Sequence, residues 1–245
     1  MRITFKDKYD DELVFTYHSN LPPNKPNEKS YKPKTMELRL FELSRDSTFD
    51  SYRKAPNLAE DIKHYPQTDV ETGLMEKEPL YQDPIYRYAV AGAFSDIKEW
   101  RNSTTLCYLA SEKNGHLAGF VLFYKIFVNE KPVVYISQAA VENPGKGVGR
   151  RLMQCVLCHY PAGTEFYALT RVFNTQAITL YQKRLGFGDI MPEEVTQLGY
   201  DQRYCGFKHT TSPEEIDTIR AKQIIFKDDS KEEEQPSLGP APKGS

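Results

Sequence analysis

Apolar and polar positions along this chain repeat with two different periods. Near the start, Ile3-Thr4-Phe5 and Leu13-Val14-Phe15-Thr16-Tyr17 alternate every second residue around the polar Lys8-Tyr9-Asp10-Asp11, which predicts a β-hairpin. The prolines of Leu21 to Ser30 remove donors and fix φ, so that stretch reads as a linker. Met36 to Leu43 alternates strictly and is predicted to be a strand. Residues 44–103 follow a mostly helical pattern, broken by Pro56, Pro66, Gly73, Pro79 and Pro84. Its clearest helix runs from Pro84 to Trp100, with Pro84 in the first turn.

A strand meander comes next. Strands are predicted over Leu106 to Ala110, Leu117 to Val128 and Val133 to Val141, with turns at Glu112-Lys113-Asn114-Gly115 and Asn129-Glu130-Lys131-Pro132. A glycine-rich turn, Pro144-Gly145-Lys146-Gly147-Val148-Gly149, feeds a helix from Arg150 to Tyr160, stopped by Pro161-Ala162-Gly163. Strand Glu165 to Thr170, helix Asn174 to Leu185 and strand Arg203 to Lys208 complete the pattern. The strand–helix–strand unit over residues 133–170 predicts a parallel crossover. Residues 212–227 read as one more helix, with Ser212 as N-cap, Pro213 in the first turn and Glu215 three residues after the cap. The run Asp228-Asp229-Ser230-Lys231-Glu232-Glu233-Glu234 and the remaining residues to Ser245 read as a disordered acidic tail.

Composition narrows the class. The chain has 245 residues, 39% hydrophobic and 12% aromatic, which suffices for a packed core. Its 32 Lys and Arg against 34 Asp and Glu give a net charge of −2, which argues against a dedicated nucleic-acid binder. Met1 to Lys8 carries no apolar core of a secretory signal. The longest apolar run, Leu117 to Tyr124, is far below the ~18–20 residues that span a bilayer. Four cysteines are too few for a disulfide framework. The expectation is a reduced, cytoplasmic protein without a membrane or nucleic-acid partner.

The glycine turn is the first feature that carries chemistry. A strand end, a Gly-Lys-Gly-Val-Gly turn and a helix start make an anion site, because glycines let backbone N–H groups close on an oxyanion and the helix dipole adds to them. Lys146, Arg150 and Arg151 add positive charge. The turn fits neither the Walker nor the dinucleotide fingerprint. Further along, Asn174 and Tyr181 lie seven apart, on one face of a predicted helix, with the small Ala177 between them and Gly186-Phe187 closing the end.

The turn Gly145-Lys146-Gly147-Val148-Gly149-Arg150, the helix Asn174…Ala177…Tyr181…Gly186-Phe187 and the element order together resemble the GNAT N-acetyltransferase superfamily, over roughly Met36 to His209. The resemblance implies a mixed α+β fold: a twisted, mostly antiparallel sheet with one parallel strand pair and flanking helices. It implies acetyl-CoA as acyl donor and direct transfer to a primary amine in a ternary complex. Ala139, Ala140 and Val141 would pair with the pantetheine arm. Gly145, Lys146, Gly147, Val148, Gly149 and Arg150 would hold the pyrophosphate, and Asn174 would bond the arm. Tyr181 would be the general acid for the departing thiolate. That transfer, from pKa about 10 to about 8.5, is uphill by about 2 kcal/mol. The chain departs from the family at Pro144, where Gln or Arg is usual, and in a shorter loop before the glycines.

The amine also needs a base, and the strand Val133 to Val141 carries no carboxylate. Gln138 or Ser137 could hold a water; Glu142, Tyr135 and Asp83 are alternatives. The acidic, tyrosine-rich stretch from Ala59 to Tyr88 would attract a cationic amine, whether a small molecule or a peptide. A non-catalytic acyl-CoA-binding or partner-binding module of the same fold is the alternative function. Residues 1–35 then form an N-terminal hairpin and linker, 36–210 the acetyltransferase domain, and 211–245 a helix and tail, in a monomer or homodimer. Cys155-Val156-Leu157-Cys158-His159 matches a c-type haem string but falls inside a predicted helix. Buried thiols are therefore expected there, and no metal at Cys155, Cys158, Cys205 and His209.

Overall fold

The computed structural model describes residues 2–5, 13–19, 35–54, 79–112 and 115–227. The expected linker at Leu21 to Ser30, most of the acidic stretch and the tail lie outside the described residues. The described chain forms a nine-stranded sheet in the order β7-β8-β6-β5-β4-β3-β2-β1-β9. The strands are β1 (Arg2–Phe5), β2 (Val14–His18), β3 (Leu106–Ser111), β4 (Leu117–Val128), β5 (Lys131–Val141), β6 (Glu165–Arg171), β7 (Gly188–Asp189), β8 (Tyr204–Thr210) and β9 (Gln223–Lys227). Every neighbouring pair is antiparallel except β5 and β6. The helices are α1 (Thr35–Tyr52), α2 (Pro84–Trp100), α3 (Val148–His159), α4 (Thr175–Thr179), α5 (Pro192–Gln197) and α6 (Pro213–Arg220).

Two layers of helix cover the middle of the sheet, and strand alternation assigns side chains between them. On β3, Cys107 and Leu109 pack with Leu40 of α1 and Val90 of α2. Tyr108 and Ala110, one residue out of phase, pack with Leu152 and Val156 of α3. Coverage on both faces explains why Leu117 to Phe123 of β4 is apolar without a break. Each large side chain fully buried here contributes about 1.5–3 kcal/mol of transfer free energy. Gly119 lets the layers close: a Cβ there would sit 3.0 Å from the Ala140 carbonyl oxygen and 3.0 Å from Leu152 Cδ1.

The hairpin expected at the N-terminus forms, with Ile3 opposite Phe15, and continues the sheet because β2 pairs with β3. The strand expected over Met36 to Leu43 is instead the first half of α1. Its buried positions are Glu37, Leu40, Phe41, Leu43 and Ser44, which is helical spacing. The alternation misleads because Glu37, polar in the pattern, is 1% exposed and ion-paired at 3.1 Å with Arg101, while the apolar Leu38 faces outward. Residues 212–227 are not one helix. Ser212 caps α6, its Oγ accepting from the Glu215 N–H at 3.1 Å, but the chain turns after Arg220 and β9 pairs with β1.

Candidate active site

Strands β5 and β6 pair only from Val134–Phe166 to Ile136–Ala168, although both continue beyond that point. They splay, and the end of β5 stays bonded to β4 alone. The Glu142 N–H donates to Ala118 O at 3.0 Å on the β4 side. Alternation therefore turns the N–H groups of Ala139 and Val141 the other way, into the splay. Ala140 differs from its neighbours: its backbone faces β4, and its side chain is buried among the α1 and α2 residues.

At the open end of the splay lies the glycine turn. Gly145 (φ 91°) and Gly147 (φ 84°) adopt left-handed conformations that L side chains rarely accept. Gly147 is the N-cap of α3 and offers no side chain to its first turn, so the leading N–H groups of the helix have no intrahelical partner. Lys146 and Arg150 are exposed beside them, whereas Arg151 turns inward and is 6% exposed. Helix α3 begins at Val148, two residues before the expected start. A cleft of about 420 Å³ adjoins the turn, between α1 and the ends of β4 and β5. Glu42, Asp46, Asp50 and Glu142 outnumber Arg39 and Lys54 along it.

Asn174 and Tyr181 do not share one regular helix. α4 ends at Thr179, and Leu180–Arg184 winds as a π turn, which changes the angle between the two residues. Asn174 is the N-cap of α4: its Oδ1 accepts from the Ala177 N–H at 3.2 Å, leaving its amide hydrogens for another partner. The Tyr181 ring is buried (6% exposed) between Phe207, stacked at 5.4 Å, and Phe187, tilted at 5.4 Å. Its hydroxyl has no hydrogen-bond partner among the described residues and is not among the fully enclosed polar atoms. Burial pushes the phenol well above its ordinary pKa, so it stays protonated across physiological pH.

A β-bulge decides what β5 presents near the point where the strands part. Ile136 opposes Phe123 while Gln138 opposes Leu122, so Ser137 is the extra residue. The bulge brings two consecutive side chains to α2. Ser137 Oγ donates to Glu99 Oε2, and the Gln138 amide donates to Asp96. Asp96 is 9% exposed and also accepts from Ser44 of α1. Burial outweighs these bonds and pushes its carboxyl up to about 8. Glu99 is half-buried, and its charge, after burial itself, helps raise Tyr124 to about 12.

Of the other expected bases, Asp83 caps α2 by accepting from the Ile85 N–H at 2.8 Å. Glu142 is exposed and paired with His116 at 2.8 Å, and the buried Tyr135 shares a 3.1 Å hydroxyl contact with Tyr200. Asp96 and Glu99 were not expected. Their signal is visible on α2, where Asp96 is the one acidic residue among the buried positions Tyr86, Ala89, Val90, Ala93, Ile97 and Trp100.

Arg171, at the end of β6 and 3% exposed, gathers tyrosines from three elements. It donates to Tyr88 Oη at 2.9 Å and to the Tyr52 hydroxyl, and lies 4.1 Å over the Tyr204 ring. Of the tyrosines expected to flank an acceptor, Tyr88 belongs to this group, and Tyr86 packs in the core against Phe49. Cys155 is buried in the core. No group of three or more His, Cys, Asp or Glu is placed to hold a metal among the described residues.

Residues 72–187 match the model of the Acetyltransferase (GNAT) family. A GNAT-family acetyltransferase from Listeria monocytogenes is similar in structure, with 12% identity and TM-score 0.46 over 86% of this chain and 99% of that one. A protein from Corynebacterium glutamicum, described as histone acetyltransferase HPA2 and related acetyltransferase, has 16% identity and TM-score 0.45 over 74% and 95%. Arabidopsis thaliana NAA60 in complex with acetyl-CoA has 18% identity and TM-score 0.35 over 46% and 80%. No curated protein matches the chain. No helix among the described residues is long and apolar enough to cross a membrane.

Proposed function

We propose that this chain moves the acetyl group of acetyl-CoA directly to a primary amine in a ternary complex. The observation that carries the proposal is the splay of β5 and β6, with the N–H groups of Ala139 and Val141 turned into it. Those donors suit the amide-bearing pantetheine arm and the thioester oxygen. The open first turn of α3, with Gly145, Gly147, Val148 and Gly149 and the charges of Lys146 and Arg150, suits the pyrophosphate. Pro144 offers no N–H and contributes no donor there. The amide hydrogens of Asn174 are available to the arm. The Tyr181 hydroxyl, unpartnered among the described residues, suits the general acid that meets the thiolate as the C–S bond breaks; burial keeps it protonated and makes the transfer steeper than the ~2 kcal/mol of an ordinary phenol. The bond from Gln138 to Asp96 favours a role in shaping β5 over one in holding a water.

The acceptor favoured by the acidic cleft wall is a cationic amine, small or peptide-borne. Of the two features that favour the non-catalytic alternative, Pro144 and a strand without a carboxylate, the second is offset by Asp96 and Glu99, which α2 brings to β5. The test is thiol release from acetyl-CoA over polyamines, aminoglycosides, amino acids and lysine peptides. Release with at least one amine is expected. Acetyl-CoA binding with no release across the panel would favour the non-catalytic module.

A further inference from the structure

A primary amine near pKa 10.4 is neutral in only about one molecule in 2,500 at pH 7, so transfer requires a proton acceptor close to the thioester. Strand β5 carries none itself. Its bulge, however, points Ser137 at α2, two positions before the Ala139 N–H that faces the splay. Of the two α2 acids, Asp96 is closed off by Ser44 and Gln138. Glu99 is half-buried, and among the described residues the one donor to its carboxylate is the Ser137 hydroxyl and the carboxylate has no ion-pair partner. A half-buried carboxyl with one hydroxyl donor and no cation beside it keeps lone pairs open to take a proton. Asp83, Glu142 and Tyr135 are each committed elsewhere.

We propose that Glu99 is the base that receives the proton of the acceptor ammonium, by way of the Ser137 hydroxyl. The inference rests on the transfer reading above. The ammonium proton passes to Ser137 Oγ while the hydrogen of Ser137 passes to the Glu99 carboxylate. The freed nitrogen lone pair forms the C–N bond at the acetyl carbonyl, whose π electrons move to oxygen. That oxygen's return expels the thiolate as the C–S bond breaks, and the thiolate takes the Tyr181 proton. The surplus proton on the new amide nitrogen restores Tyr181 through solvent, and Glu99 releases its proton to solvent. The net products are the acetamide, CoA thiol and one proton. The titratable groups that face Glu99 are Asp96 on α2, Tyr124 on β4 and Tyr135 on β5.

The test compares kcat/KM against pH, from 6 to about 10, for wild type, Glu99→Gln and Glu99→Asp. It uses the best amine from spermidine, kanamycin and a lysine peptide, with acetyl-CoA affinity measured alongside by calorimetry. An enzyme that deprotonates bound ammonium shows a plateau between the base and amine pKa values. Glu99→Gln, which must wait for free amine, is expected to lose about 10²–10⁴-fold at pH 7 and to regain tenfold for each pH unit. Glu99→Asp keeps a carboxylate and is expected to keep the plateau at a lower level. Acetyl-CoA affinity should stay within about twofold in both. If Glu99→Gln does not fold, Ser137→Ala is read the same way and should also lose the plateau. A Glu99→Gln profile parallel to wild type at every pH, whatever its height, overturns the assignment. A wild type inert toward all three amines overturns the transfer reading, and this inference falls with it.

Discussion

Gln138 donates its side-chain amide to the Asp96 carboxyl, which also accepts from Ser44, so α1, α2 and β5 meet at one buried acid. The folded pKa of about 8 lies above the unfolded value near 3.8. Between those values the native state keeps a proton that the unfolded chain has lost, so stability falls as pH rises and levels off above about 8. The groups facing Asp96 are Ser44, Gln138, Glu99, Tyr52 and Tyr88. Wild type and Asp96→Asn should therefore have similar stabilities near pH 4. The variant should gain on wild type by several kcal/mol by pH 8, up to about 5. Urea unfolding at a series of pH values measures the difference, and a constant gap would refute the assignment.

Tyr181→Phe keeps the ring between Phe187 and Phe207 and removes only the hydroxyl. Turnover should fall about 10²-fold while acetyl-CoA affinity stays within about twofold. The melting temperature should barely change, because no hydrogen bond is lost among the described residues. Steady-state kinetics beside calorimetric titration separate the two quantities. Unchanged turnover would remove Tyr181 from the chemistry.

Gly119→Ala should destabilise the fold by about 1–3 kcal/mol. The new Cβ meets the Ala140 carbonyl and Leu152 at 3.0 Å, and neither the sheet backbone nor the packed base of α3 can easily yield. Thermal unfolding checks this, and an unshifted melting temperature would contradict the close packing of α3 on β4.

Lys146→Glu with Arg150→Glu reverses two exposed charges beside the α3 N-terminus. Acetyl-CoA affinity should fall by about 1 kcal/mol per site at low salt, and the loss should shrink as ionic strength rises. Titrations at two salt concentrations test it. Equal affinity in variant and wild type would place the pyrophosphate elsewhere.

How far the sequence could be read depended on how local each signal was. β4, β5, β6 and α3 were legible because hydrophobic period and turn residues agreed, as at Gly147 before α3 and Gly163 after it. α1 was misread because the buried Glu37 sits where the pattern asked for a polar, exposed residue. Its burial depends on Arg101, far along the chain. β7 has two residues, and β9 exists because β1 lies beside it. The same division holds for the site. The glycine turn and Tyr181 stood out locally, but Ser137, Asp96 and Glu99 are joined only by a bulge whose register is set across β4. The π turn, which no residue pattern announced, altered the relation of Asn174 to Tyr181.

Acetyl transfer to an amine is tested most directly by incubating the full chain with acetyl-CoA and the amine panel, following thiol release together with the mass of the amine product. The predicted result is an N-acetylated amine formed in equal amount to free CoA. CoA release without an acetylated amine, or no release from acetyl-CoA that demonstrably binds, would contradict it.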